Sequence, residues 1–512
     1  MKLSIIACLL TLALLLGSCT SLTSPAETTA TPPSADPAED HADENDDGLC
    51  DDCGISVIVV LDLFAVNDLH GKICDTDNQP GVDELTTYLK RAYDTEEHVI
   101  LLSAGDMWQG SSESNLTDGH LVTEWMNELD FAAMTLGNHE YDWGEDAIES
   151  NADLAEFPFL AINIFDRATD KRVDYCQASV VVQRGGAKIG IIGAMGDCYS
   201  SISGEVSGGV YFKTGDDLTN LVRAEAQSLR QAGVDFIIYV IHDGHGSSPG
   251  TGMISDSALR GYYDPVLSEG YVDVVFEGHT HQRYVLRDGD GVYHLQNGGE
   301  NKGISHVEAT INFANGKRGV HTAEFMPTSA YSHLEDDPIV ETLMEKYREQ
   351  VSQADRVLGV NGRYRSGDEL RQIVADLYRD VAEEAFAEYP IVLAGGYLSV
   401  RNPYNLAAGD VTYRQIQSIF PFDNTLVVCS VKGSDLLSRF IHTDNGSYFI
   451  SYTAHGRELQ GSINPDETYY VLVDTYTSTY KPNRLTEVAR YTEDVYARDL
   501  LAAFIENGRM EQ

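Results

Sequence analysis

Basic residues are scarce in this chain. Its 512 residues include 35 Lys and Arg against 80 Asp and Glu, a formal net charge of −45. A surface of that sign repels backbone phosphates, which argues against nucleic-acid polymers as partners. It leaves room for a small anionic substrate, because bound divalent cations invert the field locally. Long apolar runs are missing as well. The stretch Leu9 to Leu16 is too short to span a bilayer, and no other segment reads as transmembrane. Cysteine is sparse. Beyond Cys8 and Cys19 the chain has Cys50, Cys53, Cys74, Cys176, Cys198 and Cys429, an even number that permits disulfides without assigning any. Only Cys50 and Cys53 are close enough in sequence to suggest a local bridge or metal clip. Internal repeats are absent too.

What is present begins with a targeting segment over residues 1–19, in which Lys2 precedes the apolar stretch and small residues follow it. Leu16-Gly17-Ser18-Cys19 resembles the lipobox of bacterial lipoproteins, which implies lipidation at Cys19 and an exported protein anchored to the cell surface or envelope by lipid alone. Residues 20–54 read as a disordered acidic tether. Within it, Asp43, Asn45, Asp47 and Gly48 match the opening of a calcium loop, while Gly54 stands where an EF-hand needs Glu. A small knot tied by Ca or Zn over residues 41–53 (His41, Cys50, Cys53) and a solvated acidic linker are both compatible with that pattern.

The chain is long for one domain, and two are expected. Strand and helix patterns alternate from residue 55 to about 330. A linker helix is expected over 331–358, with Ile339, Leu343 and Tyr347 four residues apart, and a second α/β domain over 359–512. In the first domain five short apolar runs each end in a polar cluster: Asn67-Asp68-Leu69-His70-Gly71, Gly105-Asp106, Gly137-Asn138-His139-Glu140, His242-Asp243-Gly244-His245 and Gly278-His279-Thr280-His281. Such runs read as strands buried on both faces, and open α/β sheets build their sites at strand C-termini. Gly137 is expected to let the backbone turn sharply there. Asp68, His70, Asp106, Asn138, His242, His279 and His281 are the hard and borderline donors that two adjacent divalent ions require. The isolated histidines (His98, His120, His294, His306, His321, His333, His442 and His455) read instead as hydrogen-bonded core or surface residues.

These five clusters resemble the signature of calcineurin-like metallophosphoesterases. With Gly395-Gly396, Arg401 and Pro421-Phe422-Asp423-Asn424 further on, the chain is similar to bacterial 5'-nucleotidases and 2',3'-cyclic phosphodiesterases from about residue 56 to 505. The resemblance implies an α/β fold: a calcineurin-like β-sandwich flanked by helices, then a second α/β substrate-binding domain. It implies one ion on Asp68, His70, Asp106 and His281 and another on Asp106, Asn138, His242 and His279, with Asp106 shared. The metal could be Mn, Zn, Mg, Co or Fe. It also implies in-line attack by a metal-bridging hydroxide, with His139 and Asp142 stabilising charge or protonating the leaving oxygen, and Glu140 supporting its neighbours.

For the substrate, the resemblance assigns Arg401 to the phosphate or ribose, Phe422 and Tyr476 to the faces of a base, and Asn424 to its edge. The family's Gly-Gly-Asp-Gly-Tyr is replaced here by Thr479-Tyr480-Lys481-Pro482-Asn483, which loosens the expectation of strict 5'-nucleotide specificity. The reading is therefore an exported nucleotide phosphohydrolase. A cyclic-nucleotide phosphodiesterase or nucleotide-sugar hydrolase is the alternative within the class, and a surface lipoprotein that binds nucleotides without turnover is the alternative outside it. Oligomeric state is not legible.

Overall fold

The computed structural model describes residues 42–45, 48–75, 80–202, 204, 206–246, 250–253, 270–395, 405–440, 463–479, 485–492 and 495–511. The targeting segment with Cys19, His41 and Arg401 lie outside the described residues. Among those described, no helix is long and apolar enough to cross a membrane.

The chain first alternates β1 (Ile58–Val66), α1 (Asp83–Thr95), β2 (Val99–Ser103), α2 (Ser112–Asn115), α3 (His120–Asn127), β3 (Ala133–Thr135), α4 (Glu145–Leu154) and β4 (Phe159–Leu160). A small ribbon pairs β5 (Ile164–Asp166) with β8 (Val210–Phe212), and between them run β6 (Ser179–Arg184) and β7 (Ala187–Met195). Then come α5 (Asp216–Gln231), β9 (Phe236–His242), β10 (Gly250–Met253), β11 (Val274–Glu277), β12 (Arg283–Arg287), β13 (Tyr293–Asn297), β14 (Gly303–Asn312) and β15 (Arg318–Pro327). One sheet runs β15-β14-β1-β2-β3-β4 and the other β10-β12-β13-β11-β9-β7-β6.

The two sheets face one another. Val59, Leu61, Leu63 and Ala65 alternate along β1 toward Ile189 and Ile191 of β7, Phe236, Ile238 and Val240 of β9, and Val274 and Phe276 of β11. The intervening residues of β1, Phe64 and Val66, meet Leu85 and Leu89 of α1 and Leu121, Val122, Trp125 and Met126 of α3. Leu218, Val222, Ala226 and Leu229 of α5 cover the outside of the second sheet. Burial on both faces is why these strands read as continuous apolar runs, and the helix-flanked sandwich is the fold the resemblance implied. Within each sheet the strands β1, β2, β3 and β7, β9, β11 lie parallel to one another, so their C-terminal ends share one edge.

The expected single linker helix is broken. It forms Ile339–Lys346, a short turn Arg348–Val351 and a 3-10 segment Ser352–Asp355. At the break, the Tyr347 hydroxyl donates to Glu124 at 2.7 Å, anchoring the chain to α3 at the expense of continuous helix. The second domain has a four-stranded sheet in the order Ile391–Ala394, Thr468–Asp474, Leu426–Lys432, Thr486–Arg490. Against it packs the Gly367–Ala385 helix, opened by a capping box between Ser366 and Glu369.

Residues 42–45 and 48–56 form a tight loop. The Asp43 carboxylate accepts the Gly48 N–H and the Asn312 side-chain N–H, each at 3.0 Å, and Leu49 bridges to Ser56. Among the described residues no disulfide joins the cysteines, Cys50 and Cys53 included.

Candidate active site

All seven donor residues reach one place. Five of them, Asp68, His70, Asp106, His279 and His281, have backbone φ between 50° and 68°. Non-glycine residues avoid that region, and a conformation of this cost persists only where surrounding bonds impose it. Those bonds are visible. The backbone N–H of Asp68 donates to Gly105 O at 2.9 Å and that of His70 to Asp106 O at 3.0 Å, lacing the β1 and β2 loops together. The His279 N–H donates to both Asp68 carboxylate oxygens at 3.0 Å. Gly137 is required for closeness rather than for a turn. A Cβ there would sit 2.7 Å from Asp106 N and 2.8 Å from His242 Cε1.

Donor atoms of Asp68, His70 and His281 lie within 4.8 Å of one another, as do those of Asp68, Asp106 and His242 and those of Cys198, His242 and His279. By distance the carboxylate common to the first two groups is Asp68. One oxygen of Asp106 accepts the His139 N–H at 2.8 Å, and the other lies 3.1 Å from His242 Nε2. Asn138 Oδ1 is 3.3 Å from the same nitrogen.

The outer ring nitrogens fix the tautomers. His242 Nδ1 sits 2.6 Å from Ala104 O and His70 Nδ1 2.8 Å from Gln109 O, so each carries its proton there. Their Nε2 lone pairs then face inward, His242 toward two oxygens and His70 toward His281 Nε2 at 3.1 Å. Lone pairs aimed at acceptors need a cation between them, and this donor set fits a pair of divalent ions. A proton competes for the same place on His242. Burial opposes ionisation of Asp106, but His242, His139 and His70 around it hold its carboxyl well below the usual range. Burial also opposes a charged His242, and Asp106 and Asp68 outweigh it, raising the ring to about 10. Burial and the neighbouring His242 push His279 down to about 4.

His139 stands beside the donors, its Nδ1 2.8 Å from Asp142 Oδ2. Glu140 accepts the backbone N–H groups of Asp106, Met107 and Gly137 at 2.9, 2.8 and 2.7 Å, tying two donor loops together. Burial and the Asp106 charge raise it to about 7. From the second domain Phe422 lies on His139, with ring centroids 5.5 Å apart and planes 23° apart. Asn424 Oδ1 accepts the Thr475 hydroxyl at 3.3 Å, which places that amide beside half-buried Tyr476.

Several residues at the site went unread in the sequence. Gln109 holds His70 through its carbonyl and donates from Nε2 to Pro421 O at 2.7 Å. Cys198 rests its thiol 2.9 Å from His242 O. Neither carries a local signal, because each acts through residues far away in the chain.

Residues 62–283 match the family described as calcineurin-like phosphoesterase, and residues 350–453 match the 5'-nucleotidase C-terminal domain. The chain joins a calcineurin-like phosphoesterase domain to a 5'-nucleotidase C-terminal domain. Protein UshA of Yersinia enterocolitica is 25% identical over 472 residues, covering 80% of this chain and 83% of that protein. A 5'-nucleotidase of Vibrio vulnificus is 26% identical over 489 residues, covering 82% and 84%. In fold, a 5'-nucleotidase precursor from Thermus thermophilus superposes with a TM-score of 0.65 at 17% identity, covering 88% of this chain and 96% of that one. Membership of this metallophosphoesterase family makes the chain a hydrolase that works with divalent metal ions, and the converging donors supply candidate places for them.

Proposed function

We propose that the protein removes phosphate from nucleotides, 5'-nucleotides first, using two divalent cations held by Asp68, His70, Asp106, Asn138, His242, His279 and His281, with Asp106 as the shared ligand that the resemblance implies and Asp68, common to two donor groups by distance, as its rival. The observation that carries this is the inward aim of His70 and His242 Nε2, each facing other ligand-type atoms while a backbone carbonyl holds its Nδ1. Cations bound there would neutralise the phosphoryl oxygens and acidify a water.

The chain's own residues do the rest. Asp142 holds the Nδ1 proton of His139, so Nε2 presents a charge-stabilising or proton-donating edge to the leaving oxygen. Phe422 stacks on that same ring, offering an apolar face for a base directly beside the reacting centre. The hydrogen bond between Asn424 and Thr475 keeps an amide near that face.

A panel of 5'-, 3'- and 2',3'-cyclic nucleotides and nucleotide sugars, assayed for phosphate with and without chelator, tests the reading. Chelator-sensitive phosphate release, fastest from 5'-monophosphates, is expected. Release that persists in chelator, or none from any nucleotide, sinks it. The replacement of Gly-Gly-Asp-Gly-Tyr by Thr479–Asn483 favours cyclic esters as the second reading, which faster turnover of those substrates would establish.

We further propose export and lipid anchoring through Cys19. Detergent-phase partition of the native protein that is lost in Cys19→Ser is the expected result, and partition unchanged by the substitution refutes it.

A further inference from the structure

Three of the four donor imidazoles sit on two loops, residues 242–245 and 278–281, and one hairpin holds both. Strands β12 and β13 pair antiparallel with Tyr284 directly opposite Gln296. Both side chains are buried, Gln296 completely. The Gln296 amide donates from Nε2 to Gly278 O at 2.7 Å and to the Tyr284 hydroxyl at 3.1 Å. Its Oε1 accepts the Gln282 N–H at 2.7 Å and lies 3.1 Å from Thr280 Oγ1. These contacts bracket the turn that carries His279 and His281, and a flipped amide would set donors against donors.

Tyr284 reaches the other loop. Its oxygen accepts the His245 N–H at 2.9 Å, and its proton goes to the Glu277 carboxylate. Glu277 is fixed in turn by His294 Nδ1 at 2.8 Å, with Asp288 3.6 Å behind on Nε2. The clamp therefore has its own buried support and does not depend on solvent. The space between the loops is filled as well: a Cβ on Gly244 would sit 2.8 Å from both the Tyr284 hydroxyl and Gly278 O.

We propose that Tyr284 and Gln296 are the positioning residues for His242, His279 and His281, and that they set the affinity of the site for its cations more than they set the stability of the fold. The inference rests on the two-cation reading above. Hydrogen-bonding partners one step behind metal ligands fix ring orientation, and losing one typically weakens metal binding about 10- to 100-fold.

Manganese titration calorimetry on the chelator-stripped full chain, paired with thermal melting of the stripped proteins, tests it. Gln296→Met keeps the volume and removes every bond of the amide, while Tyr284→Phe removes one hydroxyl. The expected result is manganese binding weakened about 10- to 100-fold in Gln296→Met, and by about ten-fold in Tyr284→Phe, with stripped proteins that melt close to the wild type. Should Gln296→Met not fold, Tyr284→Phe decides alone. Unchanged manganese affinity in a folded variant overturns the proposal, whether or not its melting temperature falls. A wild type that takes up no manganese, zinc or cobalt overturns the two-cation reading itself, and this proposal with it.

Discussion

The two halves of the site are built to different standards. On the sandwich side, five donor residues sit at positive φ, and backbone bonds such as Asp68 to Gly105 and His70 to Asp106 lock them there. On the other side, the loop Pro421–Asn424 is held across the domain boundary by Gln109 and Asn115 on Pro421 O, at 2.7 and 3.0 Å, and by Arg414 paired with Glu113 and Asp355. The first side is strained and laced at strand ends, whereas the proposed base-binding loop is held by polar contacts between domains and, within its own, by Arg498 on Phe422 O and Asp423. On the function proposed above, substitutions on the first side should stop the reaction, and those on the second should shift substrate preference more than rate.

Substitutions probe that contrast in descending order of effect. Asp106→Asn takes an anionic ligand from the most constrained part of the site, and should abolish metal uptake and nearly all phosphate release, measured by metal analysis and phosphate assay. An active Asp106→Asn would mean that Asp68 is the shared ligand. His139→Asn should keep both metals and slow kcat by about a hundred-fold or more, the range for a lost acid or charge-stabilising group. Metal loss in that variant would make His139 a ligand.

Phe422→Ala tests the looser side. Loss of a stacked base costs about 1–3 kcal/mol, so KM for nucleotides should rise by roughly ten-fold or more with kcat largely kept. The smallest effect concerns pH. Burial disfavours a charged His294, but Asp288 and Glu277 outweigh it and raise the ring to about 9. The folded state thus keeps a proton that the unfolded chain releases near 6.5, and that stabilisation is whole below pH 6.5 and is lost as pH rises through about 9. Melting of the chelator-stripped protein should fall by a few degrees across that window in the wild type, and His294→Gln should flatten the trend.

The same contrast explains what the sequence disclosed. The donor clusters were legible because each ligand lies within a few residues of the glycine and strand end that position it. His294 reads from sequence as a hydrogen-bonded core or surface histidine and is a buried, hydrogen-bonded one, although nothing local showed that its carboxylates are Glu277 and Asp288. Gln296 and Gln109 stayed silent because their partners belong to other strands or to the other domain. The linker helix was drawn too long because the tyrosine that completes its apolar spacing is the residue at which it breaks. In the second domain, Phe422 was placed by its Pro-Phe-Asp-Asn setting, while the short strands Val357–Asn361 and Gly409–Thr412 lack an apolar run long enough to announce them.

Gln109 belongs to both halves at once, gripping His70 with its carbonyl and Pro421 with its amide. On the function proposed above, an occupant that pulls on the Pro421 loop and an ion that draws on the imidazole act on one residue. Coupling of that kind is symmetric in free energy. If the proposed nucleotide and ions both bind, whatever factor the nucleotide adds to the hold on the ions, the ions return to it in equal measure.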